Sequence, residues 1–205
     1  MNVSTHEKWF ENSYLKTLGL RNRKIKSDDF EGIICDSNDK DLAIFELKLI
    51  TFPNKQEEVS KEFKLTDFSK GLIPFPQADK IRNNLRNSMS EARCQVLEKE
   101  KMLILPRIIF LMINTPDIHT DIGVSIVSAI KGKRITVFPD GVSMFESEIS
   151  QNKEATDLFY DDNLSGIICI YTGIVEHRGV FVLKNIKAKN QIPKKFLVNT
   201  KMQEV

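Results

Sequence analysis

The stretch that most constrains the fold is residues 28–50, which the sequence predicts to be a β-hairpin with an almost wholly apolar second strand. We expect the two strands of this hairpin at 30–35 and 42–50, joined by a polar turn. The second strand carries Glu46 and Lys48, which lie two residues apart and therefore share one face. An acid and a base are costly to bury on such a strand unless they are paired or bound to a ligand.

The surroundings of Glu46 and Lys48 make a solvated edge strand a poor explanation, because the run LAIFELKLI is apolar on both faces. The residues expected beside them on the same face are Leu42, Ile44 and Ile50. The hairpin can also bring an acid from the start of its first strand to this place, and the candidates are Asp28, Asp29 and Glu31. Two carboxylates and a lysine at the edge of a buried sheet can hold a divalent metal and a water.

Length and cysteine content set the broad class. The chain has 205 residues, which is enough for one full core, and we expect a single domain. Its three cysteines are odd in number and far apart, so reduced thiols are expected. The N-terminal residues do not resemble a signal peptide, and no apolar run approaches the roughly 20 residues that span a membrane. We therefore expect a cytoplasmic protein with no membrane partner.

Charge is unevenly distributed along the chain, although the net charge is only +2. Residues 178–203 contain seven Lys or Arg and no acid, and residues 80–107 contain seven against three acids. Residues 114–162, by contrast, contain nine acids against four bases. Basic and acidic faces of this kind suit a polyanionic partner such as nucleic acid, while a solvated lysine-rich surface would explain the same composition.

Two helices are predicted. Residues 4–18 begin with Ser4 and Glu7 at the spacing of a capping box, and Glu7 and Glu11 both fall within the arc of the apolar stripe. Residues 77–100 give the clearer pattern, with apolar residues at three- and four-residue steps. The stripe of this second helix consists of Ala78, Ile81, Leu85, Met89, Ala92 and Val96.

Further strands follow the second helix. The run 107–114 is an expected central strand, 135–141 a strand that enters a turn, and 166–174 and 179–185 two more buried strands. The acidic stretch 146–163 is expected to be helix and loop. Strands and helices mixed in this order predict an α/β fold in which helices flank one central mixed sheet.

The constellation of Asp29 followed by Glu46-Leu47-Lys48 on the next strand resembles the PD-(D/E)XK nuclease superfamily, whose fold is restriction-endonuclease-like. The resemblance covers about residues 5–115 and implies the αβββαβ-type core of that superfamily. The proline of the motif is absent, and Asp28 stands in its place. Residues 116–205 would add further strands and a basic C-terminal segment to one nuclease-like domain spanning 1–205.

The resemblance implies a metal site of defined composition. Asp29 and Glu46 would hold Mg²⁺, for which Mn²⁺ can substitute, and the carbonyl of Leu47 would be a third ligand. Lys48 would orient or deprotonate the attacking water, or offset charge in the transition state. Glu31 shares the facing of Asp29 and remains an alternate ligand, as does Asp28.

Two helical positions complete the implied site. The superfamily often adds a glutamate from the first helix, for which Glu7 is the candidate and Glu11 the alternate. It also often places a polar residue on the helix after the motif, where Gln77 and Lys80 stand in this chain.

The function implied by the resemblance is a metal-dependent endonuclease of restriction type, which hydrolyses phosphodiester bonds in DNA. Many relatives cut two strands as dimers, so a homodimer is one expected arrangement. The basic segments would track the DNA backbone, through Lys80, Arg82, Arg86, Lys184, Lys187 and Lys189. The alternative is a non-catalytic nucleic-acid-binding protein on the same fold, which would bind without cleaving.

Overall fold

The computed structural model describes residues 5–24, 32–51, 75–99, 104–114, 126, 129–131, 133–137, 144–148, 158–159, 162–171, 180–197 and 201–204. The helical elements are α1 at Thr5–Trp9, which continues as a π-helical turn at Phe10–Leu15, α2 at Phe75–Glu98, and a 3₁₀ turn at Lys194–Leu197. The strands are β1 Leu20–Lys24, β2 Gly32–Asp36, β3 Asp41–Thr51, β4 Arg107–Asn114, β5 Lys133–Val137, β6 Met144–Glu148, β7 Gly166–Tyr171, β8 Val180–Lys184 and β9 Lys201–Glu204.

Seven of these strands form one mixed sheet in the order β1-β2-β3-β4-β7-β8-β9. Strands β1, β2 and β3 form an antiparallel meander, whereas β3, β4 and β7 are parallel neighbours. Strand β8 is antiparallel to β7 and parallel to β9, while β5 and β6 form a separate antiparallel pair. Helix α2 is the crossover between the parallel strands β3 and β4. The expected α/β class with a mixed sheet flanked by helices is confirmed.

Helix α2 covers one face of the sheet, and the part of its predicted stripe with described side chains is buried. These residues are Leu85, Met89, Ala92 and Val96. They pack against side chains from one face of the sheet, namely Ile33, Cys35, Ile44, Ile50, Ile109, Leu111, Ile113, Ile167, Cys169 and Leu183. The side chains of β3 that point to α2 are therefore the even-numbered ones from Ile44 onward.

The opposite face of the sheet packs against α1 and the 3₁₀ turn. Its centre is a cluster of aromatic rings in which Phe10 lies 4.9 Å from Phe110 and 5.6 Å from Phe45, centroid to centroid. Tyr14 stacks on Phe10, and burial raises the pKa of its phenol. Because α1 packs here, it and α2 lie on opposite sides of the sheet.

Three elements differ from the sequence-based expectation. Strand β1 was not predicted, because its sequence LRNRK lacks apolar alternation. The acidic stretch expected to be helix and loop begins instead as strand β6, and the basic C-terminal segment contains strand β9. The large sheet combines the strands before residue 115 with β7, β8 and β9.

The position of Leu42 is also corrected. Ile34 pairs with Ala43 whereas Cys35 pairs with Asp41, so Leu42 is the extra residue of a β-bulge. The bulge shifts the alternation of β3, and Leu42 packs in the α1 layer instead of beside Glu46. Within the part of the chain that the structure describes, no helix is both long and apolar enough to cross a membrane.

Candidate functional site

Glu46 and Lys48 lie on the face of β3 that points to α2, as the two-residue spacing predicts. Ile44 and Ile50, which flank them on this face, belong to the α2 layer of the core. The Glu46 side chain is only 5% exposed, and that of Lys48 is 22% exposed. On the neighbouring strand β4 their register partners are Ile109 and Leu111, both fully buried. Glu46 is thus a carboxylate set into an apolar layer.

The closest partner of Glu46 is Lys99, which follows directly after α2. The ammonium of Lys99 donates a short hydrogen bond to Oε2 of Glu46. The same ammonium lies 3.5 Å from the backbone carbonyl oxygen of Phe45. Sequence reasoning missed Lys99, whose side chain is 19% exposed. The only sequence signal is its place in the last turn before β4, where a crossover helix returns to the sheet.

Lys48 extends this contact into a network of four charges. Its Nζ lies 3.6 Å from Oε1 of Glu46 and 3.4 Å from Oε1 of Glu91 on α2. Two carboxylates and two ammonium groups therefore alternate in the order Glu91, Lys48, Glu46, Lys99. Each oxygen of Glu46 faces a different lysine, which compensates the burial of its charge.

Arg107, at the start of β4, fixes the backbone around Lys99. Its guanidinium donates hydrogen bonds of 2.7 Å to the carbonyl of Val96 and 2.6 Å to the carbonyl of Lys99. These carbonyls belong to the end of α2, where intrahelical donors run out and a cation is favourable. Burial lowers the pKa of Arg107. The helix end that carries Lys99 is thereby held against β4.

Backbone carbonyls of β3 lie beside the Glu46 carboxylate. Ile44 donates its N–H to Pro106 at 2.8 Å, so its peptide group faces β4. Because successive residues of a strand turn their peptide groups to alternate sides, those of Phe45 and Leu47 face the β2 side. The described pairing of β2 with β3 ends at Ile33 with Ile44. The carbonyl of the predicted ligand Leu47 therefore points to the same side of β3 as the Phe45 carbonyl that Lys99 contacts, about 7 Å further along the strand.

Several predicted site residues lie outside the described residues. They are Asp28, Asp29 and Glu31, the three alternatives for the second carboxylate. Gln77, Lys80 and Arg82 lie on α2, but their side chains are not described. Within the described ranges, no group of three or more His, Cys, Asp or Glu side chains is placed to hold a metal ion.

The acids of the first helix are not brought to Glu46. Glu7 lies on α1 and Glu11 on the π-helical turn that continues it. This helix packs through Phe10 and Leu15 on the face of the sheet opposite to α2. The packing therefore places Glu7 and Glu11 in the other layer and gives no support to their expected role in the site.

The basic residues expected to track nucleic acid have mixed positions. Arg86 donates a hydrogen bond of 2.7 Å to the carbonyl of Ala129 and so joins α2 to a helical segment; its expected phosphate contact stays a prediction. Lys189 pairs with Asp162 at 2.8 Å, and Lys187 is exposed. Lys184 is half-buried on β8, which lies three strands from β3, or about 14 Å at the usual spacing.

Two arginines lie on β1, a strand that the sequence did not predict. Arg21 and Arg23 pair in register with Cys35 and Ile33, whose side chains are on the α2 face. Both arginines are about half exposed and form ion pairs, Arg21 with Asp39 and Arg23 with Asp41 at 2.7 Å. Strand β1 is the edge of the sheet, two strands from β3. Sequence reasoning gave these arginines no role because it did not predict β1.

The second oxygen of Asp41 accepts a hydrogen bond from the thiol of Cys35, at 3.2 Å. Burial, together with this contact, raises the pKa of Cys35, while the hydrogen bond to Asp41 raises the pKa of Arg23. Asp41 therefore belongs to a local network beside the turn that joins β2 and β3.

The chemistry of the oxygens around Lys99 suits a cation. Hard divalent cations take carboxylate and backbone carbonyl oxygens as ligands. Glu46 supplies the first type, and either Phe45 or Leu47 supplies the second, since their carbonyls lie about 7 Å apart, too far to bind one ion together. An ammonium group already contacts one oxygen of each type, the Glu46 carboxylate and the Phe45 carbonyl. Among the described residues, these oxygens make up half of a metal site. A second carboxylate is needed to complete it.

Comparison with known proteins gives no relative for this chain. No family model matches it, and no curated protein or solved structure matches it either.

Proposed function

We propose that the protein is a metal-dependent endonuclease that hydrolyses phosphodiester bonds in DNA. The observation that carries this proposal is the placement of Glu46 and Lys48 on one face of β3, with the Glu46 carboxylate buried and the Lys99 ammonium in contact with both it and the carbonyl of Phe45. A buried carboxylate next to a lysine and backbone carbonyl oxygens is an arrangement suited to binding a metal close to a phosphate.

The order of elements supports the restriction-endonuclease-like fold. From α1 to β4 the chain runs helix, three strands, helix, strand. This is the αβββαβ order that the resemblance to the PD-(D/E)XK superfamily implies, with β1 supplying the strand that the sequence did not reveal. Glu46 and Lys48 lie on the third of these strands, and α2 is the next element that the structure describes.

The second carboxylate of the proposed site would come from Asp28, Asp29 or Glu31, as the sequence suggests. The register of Ile33 with Ile44 bears on this choice. If the same pairing continued, Glu31 would pair with Glu46 after two more residues and Asp29 with Lys48 after four. Both acids therefore stay in the proposal, with Glu46 and the carbonyl of Leu47 as the ligands on β3.

Each residue has a separate part in the proposed reaction. Mg²⁺ held at Glu46 would offset the charge on the transferring phosphate and lower the pKa of a bound water. Lys48 keeps its ammonium within 3.6 Å of Glu46, where it would orient the attacking water or offset charge in the transition state. Arg21 and Arg23, on the same face of the sheet, would contact the DNA backbone.

A binding protein without catalysis is the second candidate, and one observation favours it. Glu46 already has Lys99 and Lys48 as partners, so its burial is compensated without a metal. On that account the same fold would retain DNA, and the four charges would only stabilise the packing of α2 on β3.

Plasmid cleavage distinguishes the two candidates. Supercoiled plasmid is incubated with wild type, Lys48→Ala and the control Lys16→Ala, each with Mg²⁺, Mn²⁺ or EDTA. Lys16 is exposed and belongs to the other layer. The proposal expects metal-dependent nicking by wild type and the control, and its loss in Lys48→Ala. DNA retention in a gel shift with no cleavage by wild type would favour the binding protein, and the absence of both activities would contradict both candidates.

A further inference from the structure

The ammonium of Lys99 contacts two oxygens of β3 that could also ligate a metal. It donates to Oε2 of Glu46 and lies 3.5 Å from the carbonyl oxygen of Phe45. A carboxylate oxygen and a backbone carbonyl oxygen are the ligand types of a hard divalent cation. The side chain of Lys99 is 19% exposed, so this contact is largely shielded from solvent.

Lys48 is placed differently from Lys99, although both lie near Glu46. The distances from Lys48 Nζ to Glu46 and Glu91 are 3.6 and 3.4 Å, those of an ion pair shared between two carboxylates. Lys99 instead makes a direct hydrogen bond to the one oxygen of Glu46 that Lys48 does not face. Lys48 can therefore stay in place while the position of Lys99 is taken by another cation.

The attachment of Lys99 allows its side chain to leave without moving the fold. Arg107 holds the backbone carbonyl of Lys99 at 2.6 Å and that of Val96 at 2.7 Å. The ammonium itself is at the end of a flexible four-carbon stem. A fixed backbone and a flexible stem together let the ammonium exchange with solvent.

We propose that Lys99 is an internal cation that occupies the Glu46 site, and that a divalent metal binds there by exchange with the Lys99 ammonium. This inference rests on the proposed function, because it concerns the same metal site. Its consequence is that Lys99 lowers the apparent affinity for metal. If the ammonium occupies the position in about nine molecules of ten, the apparent affinity falls about tenfold.

The test measures Mn²⁺ binding directly, by calorimetry and by the paramagnetic resonance signal of free Mn²⁺, without DNA and without activity. The variants are Lys99→Met, which removes the charge, Lys99→Arg, which keeps it, and the control Lys16→Met. We expect Lys99→Met to bind Mn²⁺ about tenfold more tightly than wild type, with Lys99→Arg and Lys16→Met close to wild type. The gain should disappear in Glu46→Gln/Lys99→Met, since the metal would bind through Glu46.

The outcomes separate this inference from the proposed function. Binding that depends on Glu46 in wild type, but is unchanged or weaker in Lys99→Met, would overturn the exchange and leave the metal site standing. Absence of Glu46-dependent binding in every variant would overturn both. Circular dichroism and urea unfolding of each variant establish that folded proteins are compared. If Lys99→Met does not fold, Lys99→Gln, which also removes the charge, takes its place.

Discussion

Lys99 donates a hydrogen bond to Glu46 across 53 residues of sequence, and this contact joins the end of α2 to the middle of β3. It is long-range because β3 and β4 are parallel, so the chain must cross over through α2 before it returns to the sheet. The contact gives the buried carboxylate a hydrogen-bond donor, and it also holds the end of α2 against β3. Glu46 is thus at once a candidate metal ligand and a member of the charge network that packs α2 on β3.

The first prediction concerns the coupling between these two residues. Lys99→Met should lower the free energy of unfolding by about 1–3 kcal/mol, because Oε2 of Glu46 loses its hydrogen-bond donor in a buried place. Glu46→Gln/Lys99→Met should cost less than the sum of the two single changes, since each single change leaves a charge that has lost this partner and the double change does not. Urea unfolding of the four proteins measures this, and strict additivity would show that the two residues do not interact.

The second prediction concerns Arg107. Replacement by Leu should lower the free energy of unfolding by about 2–3 kcal/mol, because two carbonyls at the end of α2 lose a charged donor. Arg107→Lys should recover only part of this loss, since both bonds come from Nη1 of a rigid planar guanidinium, whose position a flexible lysine ammonium does not reproduce. Urea unfolding gives both values. Equal stability of wild type and Arg107→Leu would contradict the anchoring role of Arg107.

The third prediction concerns pH. Asp36 accepts hydrogen bonds from the N–H groups of Asn38 at 2.9 Å and Lys40 at 3.1 Å, and these hold the pKa of its carboxyl below the usual value. A carboxyl whose pKa is lowered by folding contributes stability above its unfolded value, near 3.8, and loses it as the pH falls through the folded value.

Asp36→Asn keeps an oxygen acceptor but removes the charge. Its urea midpoint should therefore lie below that of wild type at pH 7, and the two midpoints should converge as the pH falls below 3.8 and through the lower pKa of folded Asp36. A difference that stays constant from pH 7 to pH 2.5 would show that the charge of Asp36 does not stabilise the turn.

The fourth prediction locates the DNA surface. Removal of one phosphate-binding side chain should lower the magnitude of the slope of log K against log salt concentration by about 0.9. Arg21→Ala and Arg23→Ala should each weaken DNA binding and lower this slope, whereas Lys187→Ala/Lys189→Ala should change neither, since β8 lies far from β3. Fluorescence anisotropy at several salt concentrations measures both quantities. The reverse pattern would assign the backbone contact to the C-terminal lysines.

The parts of the fold that sequence predicts well are those with strong apolar periodicity. Helix α2 and strand β4 have bounds close to the predicted ones, because their apolar residues recur at helical spacing or form one continuous run. The hairpin of β2 and β3 was predicted from its polar turn and its apolar strands. In each case a local pattern of side chains determines the element.

Strand β1 and residue Lys99 could not be predicted, for different physical reasons. Strand β1 lies at the edge of the sheet and carries charged residues, so the alternation of a half-buried strand is absent. Lys99 stands in a charged segment, EKEK, that resembles a solvated helix end. Its partner Glu46 is distant in sequence, and only the path of the crossover helix brings the two together. The bulge at Leu42 could not be predicted either. One extra residue in β3 moves Leu42 away from the face that carries Glu46, and no local pattern of side chains marks it.

The central claim is that Glu46 is a metal ligand of a nuclease site, and single-turnover cleavage of supercoiled plasmid by Glu46→Gln tests it most directly. The control is Glu98→Gln, an exposed acid on α2. With Mg²⁺ or Mn²⁺ present and with the folding of both variants verified, we predict that Glu46→Gln cleaves at least about a hundredfold more slowly than wild type, because a metal contributes several kcal/mol of charge stabilisation in the transition state. The control should cleave at the wild-type rate. Cleavage by Glu46→Gln at the wild-type rate, or no metal-dependent cleavage by the wild type, would contradict the claim.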